Sequence, residues 1–208
     1  MEIDYSTFNR VLTRAEEVAN EPDVNASVKR VYVERMHTLA MEFRAAHDGL
    51  ATAETSASKE GAEGRAALKA IDGPYRSARA VAFSHIPNLS LPTTLKQQPT
   101  DTDKMNAVRG LLRELDECEE SEPWAAELLA EDFGRLAPDA IREVEEWIQS
   151  SKDLQRARDT RATASSAAYE RFLAFKDVVR QSYGSKSRQY KRIHVRAGAT
   201  ESDPEPTE

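Results

Sequence analysis

The residues best equipped for chemistry lie near the end of the chain, in the run Lys186-Ser187-Arg188-Gln189-Tyr190-Lys191-Arg192-Ile193-His194-Val195-Arg196. Bases alternate there with one aromatic ring. Lysine and arginine can pair with phosphates, and a tyrosine can stack on an exposed base. The same bases also suit the negative end of a helix, and they suit an acidic strip of this chain or of a neighbour. Lys186, Arg188, Tyr190, Lys191, Arg192, His194 and Arg196 are therefore the candidate binding residues, for a protein surface first and for nucleic acid second. Ile193 and Val195 on either side of His194 leave room for a short strand or a packed extension.

Other motifs fail on their own requirements. Glu34-Arg35-Met36-His37 has the Glu-x-x-His spacing that places a carboxylate and an imidazole on one helix face, as in di-iron bundles. Such a centre needs a second copy of the motif, and none is present. Asp101-Thr102-Asp103 begins like a calcium loop, but Asn106 stands where the loop needs glycine and Leu112 where it needs glutamate. Helix capping accounts for both aspartates. Cys118 lies among Asp116, Glu117, Glu119 and Glu120, whose charge disfavours the reactive thiolate. His37, His47, His85 and His194 lack metal-ligand spacing. Gly184-Ser185-Lys186-Ser187 resembles the end of a phosphate loop, but Val179 occupies the place of its first glycine. No cofactor, metal or catalytic residue is expected, and the chain reads as a non-enzyme.

Charge is unevenly spread along the 208 residues, whose formal net charge is −7. Residues 113–146 hold thirteen acids against three bases, whereas residues 171–198 hold eight bases against Asp177 alone. This segregation is the most informative surface feature in the sequence. A single cysteine, a start without a basic and then apolar leader, and the lack of a membrane-length apolar run together make the cytoplasm the expected location, with no membrane partner.

The elements that must carry these residues are helical. Hydrophobic residues make up 39% of the chain and charged residues 31%, a balance that suits long helices burying a narrow stripe. Phe8, Val11, Leu12, Ala15 and Val18 mark a first helix that ends before Pro22. Met36, Leu39, Phe43, Ala46, Leu50, Ala53 and Ala57 then step by threes and fours in a heptad seam, continued by Glu60, Gly64, Ala67 and Ile71. A kink or break is expected at Pro74. Residues 86–103, punctuated by Pro87, Pro92 and Pro99, read as a long loop that is either functional or ordered by packing. A third helix starts at Asp101 or Asp103, a short one at Pro123 closes at Gly134, and a last one runs from Pro138 to a glycine stop at Gly184.

The expected fold is all-α: an elongated antiparallel helical bundle with two long helices, about 25–72 and 138–183, and shorter helices packed on them. The expected organisation is one bundle domain over residues 1–184, a basic segment over 185–198 and a disordered acidic tail over 199–208. The expected function is that of a non-catalytic interaction or scaffold protein that associates with itself or with another protein. Nucleic-acid binding through residues 186–196 is the alternative.

Overall fold

The structure, a computed structural model, describes residues 4–194. Among them there are helices and no strand, in agreement with the all-α expectation. The chain divides into two compact units, Met1–Ala51 with Arg156–Glu208, and Thr52–Gln155. Both long helices cross this division, so each supplies one stretch to either unit.

In the first unit, helix α1 (Tyr5–Ala19) is capped by Asp4, whose carboxylate accepts from the Thr7 amide at 2.9 Å. That amide bond holds the Asp4 carboxyl below the usual carboxylate range. Asn25 caps α2 (Ala26–Val31) by accepting from Ser27, and a π-helical turn (Tyr32–Met36) leads into α3 (His37–His85). The last part of α6 (Asp132–Tyr183) and the short α7 (Arg188–Ile193) complete the unit. Its core is aromatic. Phe8 lies edge-on to Phe43 at 5.2 Å and to Phe172 at 6.1 Å, and Tyr32 meets Phe175 at 5.7 Å. Tyr32, Met36, Ala40, Phe43 and Leu50 point inward, and Leu39, Ala46, Ala53, Ala57 and Glu60 are half-buried. The seam read from the sequence lies on the inward side of α3, although Ala40, one residue off it, is more deeply buried than Leu39.

In the second unit, α4 (Asp101–Glu119) and α5 (Pro123–Ala130) pack with α3 and with the first part of α6. Trp147 faces Gly61 and Gly64, and Tyr75 faces Phe133, so α3 and α6 run antiparallel here. Thr100, not an aspartate, caps α4. Its hydroxyl accepts from the Asp103 amide and donates to the Asp103 carboxylate, while Asp101 and Asp103 occupy the first turn, where the helix dipole favours acids.

Two expected helix boundaries are wrong. Pro74 and Pro138 both lie inside helices, so α3 continues to His85 and α6 begins at Asp132. A proline removes one hydrogen bond and crowds the carbonyl four residues earlier. Ile71, Tyr75, Ala78 and Ala82 are buried on one face around Pro74, and Phe133, Ala137, Ala140 and Val144 around Pro138. That continuous burial outweighs the loss of one bond in each case. Gly134 does not close α5 but lies in the first turn of α6. A Cβ built there falls 2.5 Å from Leu129 Cα, so only glycine allows the abrupt turn between the two helices. Gly184, with φ of 86°, ends α6 as expected.

The long loop is ordered by packing. Asp72, Tyr75 and Arg79 project from α3 at helical spacing and hold it at successive points. Asp72 accepts from the Leu95 amide at 3.2 Å and the Thr94 hydroxyl at 3.1 Å. The Tyr75 hydroxyl donates to the Pro92 carbonyl at 2.7 Å, and Arg79 donates to the Leu91 carbonyl at 3.1 Å. A 3₁₀ turn, Leu95–Gln97, buries Leu95 beneath it.

Candidate functional site

The basic run forms α7 and its flanks. The turn at Gly184 reverses the chain, and Ser187 caps the helix by accepting from the Tyr190 amide at 3.2 Å. One side of α7 is consumed by the fold. Ile193 is fully buried in the aromatic core. Arg192 donates to Glu21 at 2.8 Å and also to Glu17, and Gln189 donates to the other Glu21 oxygen at 3.1 Å. The Tyr190 ring is half-buried, stacked on His194 with centroids 5.4 Å apart, and the Lys176 ammonium lies 5.8 Å from its centre. Burial lowers the pKa of Lys176.

The other side of α7 faces outward. Lys186, Arg188 and Lys191 are exposed, and among the described residues none of them forms an ion pair. Arg196 lies outside the described residues, as do Val195 and the acidic tail 199–208. The structure thus splits the candidate set, with Arg192 and Tyr190 facing the body of the unit and three bases facing away from it.

The acids that receive α7 are Glu17 in the last turn of α1 and Glu21 just beyond its cap, not the acidic stretch 113–146. Sequence reasoning passed over them because they flank the end of an unremarkable amphipathic helix. Their signal was a pair of acids four residues apart, at and just past the C-terminal end of that helix. There the dipole disfavours negative charge, and such acids call for a cation from elsewhere. Glu16, one residue earlier, finds Arg44 at 2.7 Å in the same way. Tyr32 lies nearby. Burial, reinforced by the Glu16 charge, pushes its pKa up to about 12, yet its hydroxyl has no hydrogen-bond partner.

The acidic stretch itself spans the end of α4, all of α5 and the start of α6. Arg113 reaches Glu114 and Glu117, Arg109 reaches Glu145 at 2.5 Å, and Arg142 reaches Asp139, Glu143 and Glu146. Asp116, Glu119, Glu120, Glu122 and Glu127 are exposed and form no ion pair among the described residues.

Glu34 and His37 are both exposed, and the His37 ring lies edge-on to Tyr32 at 6.0 Å. The carboxylates that do converge are Glu60, Glu143 and Glu146, with oxygens within 4.8 Å of one another. Glu143 and Glu146 stand three apart on α6, but Glu60 comes from α3, so no local spacing announces the trio. Arg142 and Lys59 already pair with its members, and cations that offset the charge leave little attraction for a metal. Cys118 is half-buried, and His85 stacks on Trp124 at 4.4 Å.

Two open hollows lie in the second unit. The larger, about 530 Å³, is bordered by Pro74, Ser77, Phe133 and Arg135. The other, about 450 Å³, has Val144, Trp147 and Ile148 as an apolar floor and Asp101 and Lys152 at its rim. Neither brings together a nucleophile and a base in hydrogen-bond reach, the geometry that acyl or proton transfer needs. No helix among the described residues is long and apolar enough to cross a membrane. Comparison of the chain with known protein families, curated proteins and solved structures finds no match.

Proposed function

We propose that this chain is a non-catalytic helical interaction protein that associates with itself or with another protein. The observation that carries this reading is the division of charge between the two units. Residues 4–51 and 156–194 hold sixteen bases against eleven acids, while residues 52–155 hold twelve bases against twenty acids. Opposed surface potentials steer encounters and select partners more than they stabilise a fold. Light scattering coupled to size exclusion at about 0.1 mM protein and about 0.05 M salt tests self-association, with an oligomer as the expected result. A clean monomer there that also captures no partner from lysate removes the reading.

The second reading is nucleic-acid binding through residues 186–196. The exposure of Lys186, Arg188 and Lys191 favours it. The pairing of Arg192 and the half-burial of Tyr190 subtract one phosphate contact and the stacking platform. Affinity falling steeply with salt, and lost on replacing the three exposed bases by alanine, is the outcome this reading expects.

A further inference from the structure

We infer that the outward face of α7 docks on the acidic end of the second unit of another copy of this chain. This rests on the self-association reading and assigns it a surface.

The argument starts from α7. Six residues are few for a free helix in water, so this one persists because the rest of the unit holds it. Ile193, Arg192 and Gln189 supply the anchors. What remains, Lys186, Arg188 and Lys191, is a fixed outward face made of bases. The same unit adds Lys29 and Arg30, both exposed, on α2, whose capping residue Asn25 donates its amide to the Tyr183 hydroxyl at 2.6 Å at the end of α6. Because the backbone of this face is already held, binding costs it little further backbone freedom.

The occupant follows from charge. Asp116 and Glu119 lie in the last turn of α4, and no base stands in that turn. Acids at this end oppose the helix dipole and repel one another. Glu120, Glu122 and Glu127 continue the run into α5. At the end of α1 the equivalent acids are matched by Arg44 and Arg192, but Asp116, Glu119 and Glu120 have no such match among the described residues. The arrangement costs the folded chain stability that cations from outside can restore. A second copy offers those cations, and the contact can be reciprocal, because each copy carries both surfaces. A polyanionic nucleic acid satisfies the bases but leaves the acids as they are.

The test compares three forms of the full chain by sedimentation equilibrium at about 0.05 M and about 0.5 M salt. The first variant carries Lys186→Glu, Arg188→Glu and Lys191→Glu. The second carries Glu119→Lys, Glu120→Lys and Glu122→Lys. The third form is the unaltered protein. Unchanged far-UV circular dichroism certifies the fold of each, and all six positions are exposed. Association of the unaltered protein should weaken at least about tenfold at the higher salt, each variant alone should weaken it by a similar factor, and the two variants mixed should re-associate with each other. Association indifferent to salt and to both variants overturns this surface while leaving self-association standing. A monomer under all conditions overturns both. Variants that fail to re-associate, or a basic-side variant that loses DNA retention while its self-association is unchanged, overturn the assignment as well. Deleting residues 199–208, which carry Glu201, Asp203, Glu205 and Glu208, should leave association intact or stronger. Its loss would make the tail the ligand and sink the proposal.

Discussion

The two units are built from the same pair of long helices yet solve the packing problem in opposite ways. In the first, α3 and α6 carry large rings, with Phe43, Phe172 and Phe175 buried against Phe8 of α1. In the second, α3 presents glycine where the first presents aromatics. A Cβ on Gly64 would fall 3.1 Å from the Trp147 ring and 3.3 Å from the Glu143 carbonyl, so α6 lies close against the bare backbone. The rest of that core is mainly leucine and alanine, with Tyr75 beside Phe133 at 6.3 Å. An aromatic core is vulnerable to removal of volume, and a glycine seam to its addition.

The polar atoms differ in the same sense. Tyr32 and Tyr75 are both buried, and burial pushes both hydroxyls up to about 12. Tyr75 spends its hydrogen bond on Pro92, whereas Tyr32 has no partner. Tyr75 thus acts as a fastener, and Tyr32 as a ring.

Five substitutions at three kinds of site sharpen or break this contrast. The largest effect belongs to Phe43→Ala, which empties the centre of the aromatic cluster. It should lower unfolding stability by about 3 to 5 kcal/mol in urea titration, and a loss below about 1 kcal/mol would mean that the rings are not the core. Next come the tyrosines. Tyr75→Phe should cost about 1 to 2 kcal/mol, because the half-buried Pro92 carbonyl loses its donor, while Tyr32→Phe should cost nothing or stabilise slightly. Equal effects at the two sites would erase the distinction. Smallest is the glycine pair on α3. Gly49 has open space around a new Cβ, so Gly49→Ala should raise the thermal midpoint through about 0.5 to 1 kcal/mol of helix propensity. Gly64→Ala should fall short of that gain or reverse it, and a matching rise at both sites would show that Trp147 yields easily.

How much of this was legible in the sequence follows from the range of each interaction. The heptad from Met36 through Ile71 identified the inward side of α3, with Phe43, Leu50, Gly64 and Ile71 buried on it, but it passed over Ala40 and Leu68, which are buried one position further along. The glycine stop at Gly184 is local chemistry and was readable. Pro74 and Pro138 misled because their local cost is visible in the sequence, whereas the burial of Tyr75 or Ala137 that overrides it depends on distant helices. The same limit applies to the candidate surface. Its basic residues within 186–196 could be named, but the different surroundings of Arg192 and Arg188 could not. That difference is set by Glu17 and Glu21, which are more than 160 residues away in the chain.

The loop between α3 and α4 carries a consequence of its own. Proline-punctuated stretches of this length are ordinarily where digestive enzymes enter a folded protein, since cleavage requires several residues to peel away and lie extended in the protease cleft. Asp72, Tyr75 and Arg79 grip this one at Leu95, Pro92 and Leu91, so the stretch 91–95 cannot lift off without breaking several bonds to α3 at once. The middle of the segment that looks most open to nicking is thereby protected.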